Sequence, residues 1–270
     1  MPKNRIITAL AVTALFMGLL PASALADYRE DFSKSLPLKA GEIFSLRNVN
    51  GDVRVTTWKE NSVDIKAVKV ARRNKEELKE VEIRVEAEAG SASVEAVWPK
   101  FPRRARVSVD FDIKVPEGVI LDEVRTVNGG ISITGRYERA GAKTTNGSIT
   151  VENSSGGLVA RTTNGSIRVR GFEGRIEAGT TNGNIRLEGL TFKDGVSAGT
   201  TNGSITLALA SPETVNADLL ARTTNGSITV DFSVTVQNLS QSRRRVEAKI
   251  GQGGPEISLH TTNGSIKLTK

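Results

Sequence analysis

The tetrapeptide T-T-N-G occurs six times in this chain, at Thr144, Thr162, Thr180, Thr200, Thr223 and Thr261. A catalytic motif appears once or twice. A motif written six times is architecture, or an array of identical surface sites. Asn-Gly occurs eight times: Asn50-Gly51, Asn128-Gly129, Asn146-Gly147, Asn164-Gly165, Asn182-Gly183, Asn202-Gly203, Asn225-Gly226 and Asn263-Gly264. From Asn128 onward the steps are 18, 18, 18, 20, 23 and 38 residues. The last reads as two steps with a degenerate copy between them. A fixed period of this kind is the signature of a repeat fold.

The flanks repeat as well as the corner. Apolar residues alternate before each T-T, as in Leu158 and Ala160, Ile176 and Ala178, Val196 and Ala198, Leu219 and Ala221, and Ile257 and Leu259. They alternate again after each N-G, as in Ile149 and Val151, Ile167 and Val169, Ile185 and Leu187, Ile205 and Leu207, Ile228 and Val230, and Ile266 and Leu268. Period-2 alternation means strands with one buried face. The same alternation turns the first Thr of each motif inward. Asn tolerates left-handed corners, and Gly supplies φ > 0 at no steric cost.

Two architectures fit strand, N-G corner, strand. One is an antiparallel meander of type I′ hairpins. The other is a β-solenoid in which each unit is one coil, stacked at about 4.8 Å on the next. The outward residues favour the solenoid. Glu152, Arg170 and Glu188 lie 18 apart, so stacking places them in an alternating-charge ladder. A hairpin about Asn164-Gly165 instead sets Arg161 opposite Arg168, a poor pairing. Stacking does bring Arg168 onto Arg186, a blemish on the solenoid's side. The expected fold is all-β: a β-solenoid of coils of about 18–20 residues, two strands each, with an N-terminal β-rich capping insert.

Residues 1–26 read as a secretory signal peptide, with Lys3 and Arg5 before an apolar run from Ile6 to Leu20 and a small-residue Ala24-Leu25-Ala26 cleavage site. Residues 27–120 hold a divergent unit, Ile43 to Trp58, and the capping insert; 121–270 hold the repeats, in one continuous domain with 27–120. "NKEELKEVE" (Asn74 to Glu82) reads as a helical turn or two. Val234 to Gly254 breaks the period, and "SRRRVEAK" (Ser242 to Lys249) is either the degenerate coil or a loop around it. Without Lys3 and Arg5, the 37 basic residues fall to 35 against 30 acidic. That moderate excess permits attraction to acidic surfaces without implying nucleic acid. No cysteine is present, so no disulfide framework supports the fold. No later stretch is long and apolar enough to span a bilayer.

"VPEGVILDEVRTVNGGISITG" (Val115 to Gly135) followed by serial "TTNGSI" resembles the putative adhesin domain of bacterial envelope proteins. In that family an extended "vPkG" segment leads into recurrent N-G-[DSN]-I units. The resemblance covers most of residues 40–270. It implies a β-solenoid-like domain outside the cytoplasm and supplies no catalytic residues. After T-T-N-G this chain has Ser or Asn where many relatives have Asp. Only Asp52 keeps the acid, which argues against a shared calcium role.

Chemistry is sparse. Nucleophilic catalysis needs a base beside the nucleophile, but the chain has no cysteine and one histidine, His260. His260 occupies the position of Arg161, Gly179, Gly199 and Arg222 in other copies, an outward strand position. The same scarcity argues against zinc or copper, and no cofactor is expected. Glu152, Glu188, Asp194 and Asp231 are scattered among Lys and Arg rather than paired. Arg161, Arg168, Arg170, Arg175 and Arg186 fall in consecutive units and read as a candidate surface for an anionic ligand. "PRRAR" (Pro102 to Arg106) and "SRRR" (Ser242 to Arg245) are further basic candidates. Aromatic platforms for nucleic-acid bases are missing.

The expected function is an exported, non-catalytic, adhesin-like scaffold, periplasmic or at the cell surface. Its expected partner is an envelope glycan or another envelope protein. The alternative is a carbohydrate-active enzyme or glycan-binding protein on the same scaffold. The inward assignment makes its own prediction. Ile185→Asp is expected to lower stability by several kcal/mol, because it places a charge in a stacked core. A melt equal to that of the parent would overturn the assignment.

Overall fold

The computed structural model describes residues 27–99, 106–191, 193–209, 215–231 and 236–269. The expected export segment, residues 1–26, and 102–105 of the first basic run lie outside them. The described chain is almost wholly strand, with one short helix, Glu77–Glu80.

The two strands flanking each corner do not pair with each other. Each pairs in parallel with its counterpart in the next unit. Ile176 lies against Val196 and Thr180 against Thr200; Ile185 lies against Ile205 and Leu187 against Leu207. The fold is therefore a β-solenoid with two long parallel stacks, one of strands entering the corners and one of strands leaving them. Where the turn between units is tight the strand runs on through it, so Ile131–Lys143 and Ile149–Asn164 each serve both stacks.

The order of coils is not the order of the chain. By corner residue the stack runs Asn50, Asn128, Asn146, Asn164, Asn182, Asn202, Asn263, Asn225. The last coil, Glu256–Asn263 and Ile266–Thr269, sits between the Asn202 and Asn225 coils. Among its described residues the 38-residue gap holds no parallel coil. Arg245–Ile250 runs antiparallel beside Ala217–Asn225, and Val236–Gln241 runs antiparallel beside it. Ser242, Arg243 and Arg244 of "SRRR" make the turn between these two strands, and Arg245 opens the second. At the other end, Ile43–Arg47 and Val53–Trp58 form the second coil, not the first. Ser91–Val97 and Val107–Pro116 lie outside them. Glu82–Glu88, Ser62–Ala71 and Tyr28–Pro37 then add antiparallel strands. Such additions cover the open parallel edge that a solenoid otherwise presents.

Inward residues form continuous columns. Ile131, Ile149, Ile167, Ile185, Ile205 and Ile266 stack on one another and are buried. At the turn between units, Asn153 (φ 48°), Gly171 (φ 60°) and Gly189 (φ 61°) form a left-handed column, and Ser154, Phe172 and Leu190 turn inward after it.

Three hydrogen-bond ladders run along the corners. Each corner Asn donates from Nδ2 to Oδ1 of the Asn before it in the stack, over 2.7–2.9 Å, unbroken from Asn50 to Asn225. The buried first Thr donates to the Gly carbonyl of the preceding coil, as Thr162 does to Gly147 and Thr180 to Gly165 at 2.9 Å. Thr126 does the same to Gly51. Asn48, at the same position, instead donates its amide to Val109 O at 2.8 Å. The Gly N–H donates to the Asn carbonyl of the next coil. Each bond contributes about 0.5–1.5 kcal/mol net, and aligned amides polarise one another.

The reason for glycine differs from the one expected. Of the corner glycines only Gly51 and Gly264 have positive φ, and no corner Asn does. A Cβ on Gly165 would lie 2.0 Å from Gly147 O, and one on Gly183 2.0 Å from Gly165 O. Glycine stands there because the preceding coil's backbone occupies the space of a side chain.

An interior last coil has a consequence that a terminal one lacks. Ending the chain after Gly254 removes a coil between two others, so both its neighbours lose a parallel partner. Chemical denaturation and size-exclusion chromatography are expected to show severe destabilisation or aggregation, relieved by a synthetic 255–270 peptide. A truncated chain that melts like the parent would contradict the placement.

Candidate functional site

Alternation that sends the first Thr inward sends the residue before it outward. In register, that outward row reads Glu95, Arg47, Arg125, Lys143, Arg161, Gly179, Gly199, His260, Arg222, Arg245. Inside Glu95, apart from two glycines and a histidine, every member is a cation. Like charges in register are mutually destabilising, and carboxylates offset only part of this. Glu123 bonds Arg47 at 2.8 Å and lies 3.9 Å from Arg125. That hydrogen bond holds the Arg47 guanidinium above its ordinary range. Glu177 pairs with Arg161, and Glu247 with Arg222 and Arg245. Among the described residues Lys143 makes no ion pair.

Beside this row, toward the corner, stands the second Thr of each motif. Thr163, Thr181 and Thr201 are exposed. Where Gly179 and Gly199 interrupt the row, an open groove of about 520 Å³ forms, lined by Arg161, Thr181, Thr201 and His260. A neighbouring hollow of about 510 Å³ lies over Gly141, between Asp122, Arg139, Lys143 and Arg161.

The five arginines singled out from the sequence do not form one stripe. Arg161 belongs to the row just described. Arg168, Arg170 and Arg186 stand on the other stack, where acids interleave with them. Arg170 lies 3.8 Å from Glu152 and 3.2 Å from Glu188, and Arg186 lies 3.3 Å from Glu188. Arg168 faces Arg186 in register. Arg175 sits at the turn, near Ser258 and Glu256. The physical reason is that a coil has two faces, and 18-residue spacing says nothing about which face a residue occupies. Of the other members of the row, Arg245 closes the "SRRR" candidate and Arg222 was read only as an outward equivalent of His260, while Arg47, Arg125 and Lys143 were missed. Their signal is the residue before T-T, and it becomes visible only when the copies are aligned through Thr126 and Asn48.

His260 is exposed beside Gly199 and Arg222. Burial pushes the Tyr137 phenol up, and its ring lies 6.4 Å from that of Phe172, a core packing role. No group of three His, Cys, Asp or Glu able to hold a metal ion occurs among the described residues. Asp52 serves the backbone, accepting from Gly130 N–H at 2.7 Å. Ser148, Ser166 and Asn184 accept in the same way from the coils above them. Any side chain with an oxygen suits that position, so Ser and Asn replace Asp without loss of the bond.

Residues 35–269 match the Toastrack DUF4097 family. No curated protein matches the chain. Among solved structures, a putative adhesin from Bacteroides fragilis is 13% identical over 89% of this chain and 96% of that one, with a TM-score of 0.48. A putative lipid binding protein from Parabacteroides distasonis is 13% identical over 89% and 97%, with a TM-score of 0.42. A putative cell adhesion protein from Clostridium sporogenes is 12% identical over 89% and 99%, with a TM-score of 0.37.

Proposed function

This chain belongs to the Toastrack DUF4097 family, and we propose that it is an exported, non-catalytic scaffold that binds polymer of the cell envelope. The observation that carries this reading is the outward row of Arg47, Arg125, Lys143, Arg161, Arg222 and Arg245 beside open grooves. A rigid stack holds these side chains at fixed intervals, which lowers the entropy lost when they engage a ligand. Carboxylates that a hydrolase would need are used in pairing with arginine, as Glu123, Glu177, Glu188 and Glu247 are. The apolar run and cleavage site of residues 1–26 support export.

The test is retention of envelope polysaccharide fractions by the exported protein, followed by an assay for new reducing ends. Retention without cleavage is expected. Cleavage would make the protein an enzyme, and failure to retain any envelope fraction would refute the scaffold reading.

A further inference from the structure

Among the described residues, the row before the corner holds the longest run of one sign of charge in successive coils, with Glu95 in register beyond its Arg47 end and only the pair Arg168 and Arg186 to match it on the other stack. Arg47, Arg125, Lys143 and Arg161 stand in four adjacent coils. At about 4.8 Å per coil this places four cations within roughly 15 Å. The arrangement weakens the free protein. On the other stack the corresponding row mixes Ser132, Thr150, Arg168, Arg186 and Thr206, and the next one alternates Glu152, Arg170 and Glu188.

The interruption of the row is a second, independent observation. Glycine inside a strand costs entropy and packs nothing, and it often marks close approach of a ligand or another backbone. At Gly165 the fold requires it, and at Gly141 an added Cβ would lie 2.6 Å from Asp122 O. At Gly179 and Gly199 nothing requires it. A Cβ there would come no nearer than 4.0 Å to Arg161 Cγ and 3.9 Å to His260 O, and neither residue has positive φ. What the two glycines do is open the groove between Arg161 and His260, floored by bare backbone and edged by the Thr181 and Thr201 hydroxyls.

We propose that this row is a track for a linear polyanion built of negatively charged sugar or sugar-phosphate units. The polymer lies along the stack with its charges on Arg125, Lys143, Arg161 and Arg222, and seats one bulky unit over Gly179 and Gly199. The proposal rests on the envelope-polymer reading and names the chemistry of that polymer. A polymer fits better than a membrane because the track is one residue wide. The row beside it, away from the corner, includes Glu123, Gly141, Val159, Glu177, Ser197 and Ser258, so a lipid surface would press its phosphates on two carboxylates. The same row has no aromatic ring on which a nucleobase stacks.

The test is titration of the exported protein with dextran sulfate, polygalacturonate, neutral dextran, single-stranded DNA and phosphatidylglycerol vesicles. The two anionic polysaccharides are expected to bind at least ~10-fold tighter than the other probes, and to weaken by ~10-fold or more between low and moderate salt as counterions are re-bound. Lys143→Glu combined with Arg161→Glu is expected to lower their affinity about 10-fold, while Arg168→Glu with Arg186→Glu on the other stack changes it less than about 3-fold. Gly179→Val leaves the charge alone and is expected to lower affinity several-fold with no loss of melting temperature. Equal losses from the two charge-reversed pairs would overturn the track, since net charge alone would then explain binding. Tighter binding to vesicles or DNA would overturn the polysaccharide assignment. Unchanged affinity in Gly179→Val would remove the seat. Neutral glycan bound equally well by parent and Lys143→Glu/Arg161→Glu protein would overturn the polyanion but leave the scaffold reading standing. No binding to any glycan, here and with envelope fractions, would remove both.

Discussion

The structure depends on how closely one corner can sit on the next. At each T-T-N-G the Gly carbonyl of one coil lies where the following glycine would carry a side chain, 1.9–2.0 Å from the position of its Cβ in the T-T-N-G coils. This approach lets three sets of hydrogen bonds close at once: side-chain amide to amide, Thr hydroxyl to Gly carbonyl, and Gly N–H to Asn carbonyl. Ladders of identical amides stabilise stacked strands generally. Here they also fix register, because a one-residue slip would turn Thr162 and Ala160 outward and Arg161 into the core. Stiff, registered coils are what give the outward row its even spacing.

Identical corners have a second effect. Any copy fits beside any other, so the motif does not dictate coil order. The Asn263 coil enters between Asn202 and Asn225 with the same Asn, Thr and Gly bonds as its neighbours. Its core residues differ from theirs. Leu259 lies between Ala198 and Ala221, so one large side chain is set between two small ones, a pattern that favours interdigitated packing. Antiparallel strands then cap both stacks at the Asn50 end and the stack entering the corners at the Asn225 end, where among the described strands Ile228–Asp231 pairs only with Ile266–Thr269.

Much of this was legible in the chain, and what was not has identifiable causes. Period-2 alternation placed Ile185, Ile205 and the first Thr inward because strand geometry allows no other repeat. The Glu152, Arg170, Glu188 ladder followed from equal spacing. Coil order did not follow, because the information lies in packing partners such as Leu259 rather than in the motif. The reading of Gly165 as a φ > 0 residue failed because Asn-Gly is a local signal, while the actual constraint comes from Gly147 in another coil. The true left-handed column, Asn153, Gly171 and Gly189, sits in turns whose sequences differ too much to align by eye. The basic row was hidden because its first members precede Asn48 and Thr126-Val127 rather than T-T.

The central claim is that the corner glycines answer to the neighbouring coil and not to their own backbone conformation. Urea denaturation of Gly165→Ala beside Gly179→Ala tests it most directly, since the two glycines lie in adjacent units and neither has positive φ, one at a corner and one inside a strand. The account predicts a loss of about 2 kcal/mol or more for Gly165→Ala, in the range of overpacking against a rigid neighbour. For Gly179→Ala it predicts no loss, or a gain of up to ~1 kcal/mol from reduced chain entropy. Equal, small effects at the two positions would contradict it.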